Sequence, residues 1–461
     1  MQVPEGYVLI TQVEYDYLRR TIAMLMDRVK ELEGLLNKDS KNSHKPPSSD
    51  GYKKEIKNNR EKSGKKQGAQ PGHEGKTLEM VSNPDKIIKH HVKGRCRCGN
   101  DLEKLAIKEI QRRQVFDLPE KLIEVTEHRI EVKQCACGRV HKAECPVEGV
   151  TQYGERIKAF AVYMNQYQFI PFDRLQEMTE DCFGMSISDG VLEKSNQACY
   201  EQLEQTEAGI KQDIIQSSVI HNDETGMRCA GKTQWIHSSS TQQHTHYSIQ
   251  PKRGKEGMDA IGILTNFKGT SIHDRWASYD QYHCTHGLCN AHLLRELKYV
   301  KEEIGRDWSG QMIPLLVMAN VLKTEGRLDQ AAVQHIEKRF HKITKTGLRE
   351  EPVMGMPKKK KRGRVAKTKS MNLLEAFIDR RQDILRFLHN KDVPFDNNLA
   401  ERDLRMVKLK QKISGCFRTL HGAEVFCRIR SYVSTARKQG HSVLEAIEQA
   451  LIGKPVMLAT C

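Results

Sequence analysis

Two apolar runs that each close on an aspartate constrain this chain more than any other feature. The first, IIQSSVIHNDETG from Ile214, runs into Asp223 and Glu224; the second, Gly269–Asp274, ends on Asp274. Between them, Gln234–Ser238 and His244–Ile249 read as strands, with a turn at Ala230-Gly231-Lys232, and Gly257–Leu264 reads as a short helix. Short runs rich in β-branched and aromatic residues, bounded by Gly, Asn and Asp, suit a pleated sheet. A third acid, Glu401, stands in the first turn of a helix that begins after Pro394.

Carboxylates on two strand ends and one helix start form a rigid set of hard oxygen donors. Such donors suit Mg²⁺. Phosphoryl transfer on nucleic acid uses two such ions about 4 Å apart. Three strands, a helix and a fourth strand before the second acid is the order of a ribonuclease H-like α/β core. Each acid also has an ordinary reading. Asp223, followed by Glu224 and Thr225, suits a turn, and Asp274 suits a cap for the turn into Arg275-Trp276. Glu401 follows Asn398 at the spacing of a capping box.

The rest of the chain adds context. Its 461 residues suit several domains, and its formal net charge of +16 points to a polyanion. Nucleic acid leads that class; a ribosomal or membrane-surface partner fits the charge equally. No apolar run is long enough to span a bilayer, and the N-terminus lacks the basic and apolar regions of a signal peptide. Thirteen scattered cysteines suit a reducing compartment. In residues 1–36, Leu18, Leu25 and Leu32 alternate with Ile22, Val29 and Leu36 at heptad spacing. That is a parallel two-stranded coiled coil or an amphipathic helix packed on its own protein. Residues 37–80 are polar and basic and read as a flexible linker or DNA-tracking arm.

Residues 81–149 carry Cys96-Arg-Cys98-Gly and Cys135-Ala-Cys137-Gly, separated by the strand-like text IKEIQRRQVFDLP and LIEVTEHRIEVKQ. Four thiolates on two Gly turns suit a structural Zn²⁺ in a zinc-ribbon-like module, although the usual spacing is C-x₂-C. His90, His91, His141 and Cys145 are substitute ligands, and a metal-free remnant of such a ribbon is the alternative. Residues 150–213 read as three helices, up to Phe169, from Pro171 to Asp181 and from Ser188, with a Gly184 turn between the last two. This is helix-turn-helix text, or a plain helical bundle. Residues 291–395 are mainly helical with a basic loop around Lys358–Arg364, and 398–450 are helical. Cys289 and His292 form a buried structural pair or, with His283, Cys284 and His286, metal ligands. Arg402, Arg405, Lys408, Lys410 and Lys412 load the helix of Glu401 with cations for DNA phosphates. Arg405 is also spaced to pair with Glu401, and a solvated basic face is the plain alternative.

Several blocks together resemble the insertion sequence 66 family of bacterial DDE transposases. They are KDSKNSHKPPSSD, QPGHEGKTL, the paired cysteine motifs, His221-Asn222-Asp223-Glu224-Thr225, His273-Asp274-Arg275-Trp276-Ala277-Ser278-Tyr279, Cys289-Asn290-Ala291-His292 with Arg295, and Asp396-Asn397-Asn398-Leu399-Ala400-Glu401-Arg402-Asp403-Leu404-Arg405. The resemblance covers nearly the whole chain and departs from the family at the short C-x-C spacing. It implies that Asp223, Asp274 and Glu401 are the catalytic triad and hold two Mg²⁺ (or Mn²⁺) ions, with Glu224 the local competitor of Asp223. It implies a multidomain α+β protein whose ribonuclease H-like core spans 214–290 and 396–461 around a helical insertion. The expected partners are terminal inverted repeats, target DNA, a second copy of the chain in a dimer or higher oligomer, and accessory proteins of the same element, but no membrane. The expected setting is the bacterial cytoplasm, on the nucleoid. The rival readings are a DNA-binding repressor without catalysis and a nuclease that cuts but does not join.

Overall fold

A computed structural model of the chain describes residues 10–36, 78–119, 122–147, 149–351 and 367–456. Most of the expected basic linker at 37–80 and the Lys358–Arg364 loop lie outside the described residues. The described residues form two compact units. The larger holds those of Met1–Glu55, Val147–Glu180 and Met185–Cys461; the smaller holds those of Ile56–Pro146 and Asp181–Gly184. No described helix is long and apolar enough to cross a membrane.

Helix α1 (Gln12–Leu36) belongs to the larger unit. Its heptad residues Leu18, Ile22, Leu25, Val29 and Leu32 are all exposed, so no described residue buries this seam.

In the smaller unit, β1 (Val132–Gln134) pairs antiparallel with β2 (Val140–Lys142), with Lys133 opposite His141. The longer strand-like text before β1 forms no further ladder. Its apolar residues, Ile107, Val115, Leu118 and Val125 among them, are exposed, and no described residue of 78–147 is buried. An alternating pattern becomes a strand only when one face finds a surface to cover it.

After the smaller unit's residues come α2 (Glu155–Val162), α3 (Phe172–Phe183), α4 (Asp189–Gln202) and α5 (Glu204–Gln216), all in the larger unit except the last turn of α3 from Asp181. Gly184 at φ +65° makes the turn after α3, and Ser188 stands at the N-cap of α4 as its sequence suggests. A five-stranded sheet follows: β3 (Val219–Cys229), β4 (Lys232–Ser240), β5 (Thr245–Gln250), then after helix α6 (Lys255–Ile261), β6 (Thr270–His273) and β7 (Thr285–Leu288). The strand order is β5-β4-β3-β6-β7. The first three strands are antiparallel neighbours, and β3, β6 and β7 run parallel.

Two details differ from the sequence reading. The run at Ile214 begins as the last turn of α5, and Asp223 lies inside β3 rather than at its end. The strand continues because residues 224–229 pair with 232–237 across the Ala230-Gly231 turn and bury Met227 and Cys229. Strand β7, Thr-His-Gly-Leu, carries a glycine and little β-branched or aromatic text, so it does not stand out in the sequence.

The insertion comprises α7 (Asn290–Tyr299), α8 (Asp307–Thr324), α9 (Gln330–Glu350), α10 (Lys369–Asp379) and two single turns, α11 (Arg381–Ile384) and α12 (Arg386–His389). Its core, built on Leu297, Trp308, Leu316, Phe340, Leu374 and Phe377, is continuous with Ile272 and Leu288 of the sheet. The chain then returns through α13 (Asn398–Ser414), α14 (Leu420–Lys438) and α15 (Val443–Leu451). Helix α14 covers the edge strand β5. The Ser431 and Thr435 hydroxyls accept from the amides of Tyr247 and Thr245 at 2.8 and 3.0 Å, which satisfies an edge that would otherwise be open to another strand. Helices α2 and α4 share a core with α14 and α15 through Ala159, Cys199, Ile429 and Ala446. Of the helix-turn-helix text, α4 is thus packed into the larger unit.

Candidate active site

The parallel register of β3 and β6 places His221 beside Ile272. Carried two residues further, it sets Asp223 next to Asp274, just past the end of β6. Helix α13 packs on β3 and β4 and brings Glu401, in its first turn, near enough for its charge to act on Asp223. The charges of the other two acids reach Asp223. Asp223 is held well above the usual carboxylate range, first by burial and then by the charges of Glu224, Asp274 and Glu401. Its Oδ1 accepts from the Glu224 amide at 2.8 Å, which offsets part of that rise. Asp274 Oδ1 accepts from the Trp276 amide at 3.0 Å, the turn-capping contact its sequence allows.

Glu401 does not spend its carboxylate on a capping box. Its Oε2 lies 3.8 Å from Arg405, and its Oε1 is buried, accepts no hydrogen bond among the described residues and lies 3.6 Å from His292 Nδ1. A buried anionic oxygen with no donor is costly unless a cation completes it. The crowd of like charges on Asp223 fits a divalent ion with oxygen ligands, although no three donors among Asp223, Glu224, Asp274 and Glu401 lie within 4.8 Å of one another; the orphaned oxygen of Glu401 faces His292 and Cys289 instead.

Glu224 differs from Asp223, although both lie on β3. Its carboxylate is engaged by the Tyr279 hydroxyl at 2.5 Å and by Arg253 at 2.7 and 2.8 Å. Burial still raises it above the usual range. This engagement sets Glu224 apart from Asp223, which among the described residues accepts only from the Glu224 amide.

A buried polar frame fixes the three elements that carry the acids. Asn397, 2 % exposed, sits just before α13. Its Oδ1 meets His221 Nδ1 at 2.9 Å, its Nδ2 donates to the Asn222 carbonyl at 2.8 Å, and its backbone amide donates to Cys289 Sγ at 3.2 Å. Asn222 in turn donates to Ser271 and accepts from Ser239. Two residues past Glu401, Asp403 Oδ2 accepts from Ser240, Thr245 and Lys438 at 2.7, 3.1 and 3.0 Å. The matching blocks contained Asn397 and Asp403, but nothing in their spacing marks them as frame residues.

Cys289 stands at the N-cap of α7, with its thiol pushed up to about 12 by burial. Cys289, His292 and Glu401 place one donor atom each within 4.8 Å of one another. His283, Cys284 and His286 do not join that group, and among the described residues no other such group exists. The cations of α13 divide. Arg402 and Arg405 are exposed, whereas Lys408 donates to the Gly226 carbonyl at 2.6 Å. Lys410 lies 3.9 Å over the Phe417 ring and is lowered to about 8 by burial.

In the smaller unit the two cysteine motifs form matching turns. Cys96 and Cys135 donate their amides to Asn100 and Arg139 at 2.9 and 2.8 Å, and accept from Gly99 and Gly138, both at 2.8 Å. Both glycines have positive φ, +94° and +81°, which side chains resist. The Cys98 and Cys137 amides lower the thiols of Cys96 and Cys135. Each turn thus favours thiolate, yet no three of the four sulfurs lie within 4.8 Å of one another.

A family model described as Transposase IS66 family matches residues 150–425, which include Asp223, Asp274 and Glu401. A second, described as a family of unknown function (DUF6444), matches residues 2–79. No curated protein matches the chain.

Proposed function

The chain belongs to the transposase IS66 family, and from that premise we propose that it cuts DNA at the ends of its own element and joins the freed ends to target DNA. The observation that carries the reading is the crowding at Asp223: a half-buried carboxyl that feels the charge of three other carboxylates, two of them from distant parts of the chain. The strand order, with three antiparallel strands and two parallel ones, supports a ribonuclease H-like core. Asp223, Asp274 and Glu401 would hold the two Mg²⁺ ions, and Mn²⁺ suits the same oxygens. When bound, such ions supply Lewis-acid activation of the attacking oxygen and stabilisation of the leaving oxygen.

The residues themselves orient and exclude. β3 and β6 hold two acids in register, Asn397 and Asp403 hold the third, and Arg253 with Tyr279 keeps Glu224 apart. In the first step, water attacks an end phosphodiester; one P–O bond forms, another breaks, and a 3′-OH is released. In the second, that hydroxyl attacks a target phosphodiester and the displaced strand leaves with its own 3′-OH. Exposed Arg402 and Arg405 suit DNA phosphates beside the site. The exposed seam of α1 suits a second copy of the chain, and a structural Zn²⁺ shared by Cys96, Cys98, Cys135 and Cys137 completes the reading.

The test is to incubate the purified protein with Mg²⁺ and labelled DNA from both element ends, with Asp223→Ala alongside. Cutting and joining by the unsubstituted protein only is the expected result. Binding without cutting would favour a repressor, and cutting without joining a nuclease. Equal activity in Asp223→Ala would remove this site assignment.

A further inference from the structure

Arg253 stands at the edge of the acidic site and is built differently from the other cations there. Its Nε and Nη2 lie 2.8 and 2.7 Å from Glu224 Oε1. Its guanidinium is stacked on two indoles, 4.2 Å from the Trp276 ring and 5.1 Å from the Trp235 ring. The pair is unevenly buried: the Glu224 side chain is 1 % exposed and that of Arg253 is 39 % exposed. A salt bridge that served only the interior would bury both partners. Here the carboxylate is inside, locked by Tyr279, and the cation is carried outward.

The location matters as much as the geometry. Glu224 follows Asp223 on β3, and Trp276 donates its amide to Asp274. Arg253 is therefore tied to both aspartate-bearing elements. DNA entering this site meets carboxylates that repel its phosphates. Lys408 and Lys410 are turned to Gly226 and Phe417, so neither is the fixed cation that offsets that repulsion. Stacking and ion pairing pre-set the guanidinium plane, so little side-chain freedom remains to be lost on binding. A planar fork held this way matches a phosphate.

We propose that Arg253 is a substrate-binding residue that grips a DNA phosphate beside the one being cut, and that Glu224 anchors Arg253 rather than ligating metal. This rests on the DNA-cutting reading above. It is tested by measuring affinity for a labelled duplex of random sequence across a salt series, with Ca²⁺ replacing Mg²⁺. The variants are Arg253→Gln and Arg253→Lys, and each is checked by its thermal melting. Arg253→Gln is expected to bind roughly tenfold more weakly and to lower the salt slope by about one, while Arg253→Lys keeps the slope. The Mg²⁺ concentration needed for half-maximal cutting should not move in either. An unchanged slope in Arg253→Gln, or a raised Mg²⁺ requirement, overturns the proposal while leaving the DNA-cutting reading in place. Should Arg253→Gln fail to fold, Arg253→Lys decides through affinity: loss of the planar fork must weaken binding, and wild-type affinity overturns the proposal. No duplex binding by the unsubstituted protein overturns both.

Discussion

In the larger unit, Asp223 and Asp274 are set side by side by strand register, and Glu401 comes near Asp223 on a helix held by Asn397 and Asp403. In the smaller unit, Cys135 and Cys137 owe their positions to one turn, with β1 and β2 of three residues each behind it. The first site is assembled by contacts between residues far apart in sequence and has a packed interior beneath it. The second is assembled locally, and no described residue around it is buried. The elements that carry the acids rest on a packed core, although the three acids, like the sulfurs, do not place donors within 4.8 Å of one another. The cysteines are pre-shaped in pairs, and a bound ion would have to bring the pairs together.

The largest expected effect follows from that contrast. Removing metal with a zinc-selective chelator should abolish amide-exchange protection in 78–147 and release one Zn²⁺ per chain, while protection in β3 and α14 stays unchanged. Protection in 78–147 that survives metal removal would erase the contrast. A smaller effect is expected from Asn397→Ala. It strands the buried His221 nitrogen and the Asn222 carbonyl, so denaturant unfolding of the larger unit should lose about 1–3 kcal/mol per lost contact. Strand cutting should fall further than that loss of stability explains, because β3 and α13 are no longer tied. Cutting at the wild-type rate would show that register alone places Glu401.

The smallest effect concerns pH. Burial holds His237 and His246 down to about 4, His246 with Lys211 adding to the shift even though Glu207 Oε1 is 3.6 Å away. Histidines depressed in the folded state contribute stability that is fully present above about 6.5 and is lost as pH falls through about 4. All three tryptophans, Trp235, Trp276 and Trp308, lie in the larger unit, so their fluorescence reports that unit alone. Its melting temperature should fall by a few degrees between pH 6.5 and 4.5. A flat profile would mean that these imidazoles are not buried as neutral groups.

Much of the candidate site was legible beforehand, and the reason is local. Asp223 and Asp274 sit where apolar strand text meets acids, and the blocks around all three acids match a family model. The choice between Asp223 and Glu224 was not legible from spacing, because adjacent residues on a strand differ only in which way they face. Arg253 was invisible for the same reason: its partners, Glu224, Trp235 and Trp276, are scattered in sequence. The heptad of α1 was legible, but its partner was not, since an apolar stripe states that something covers it and not what.

The sequence by itself determined most of the helices, strands β4 to β6 and the turns at Gly99, Gly138 and Gly184, because these depend on neighbours in the chain. Only the tertiary structure decided that Asp223 lies inside a longer strand, that Glu401 meets His292 rather than capping its helix, and that Glu224 is given to Arg253. It also decided that the run of apolar residues in 107–125 stays exposed while similar text in β3 is buried. The physical reason is the same throughout. Covalent neighbours fix which way the backbone turns, whereas burial and charge pairing depend on what the rest of the fold places opposite.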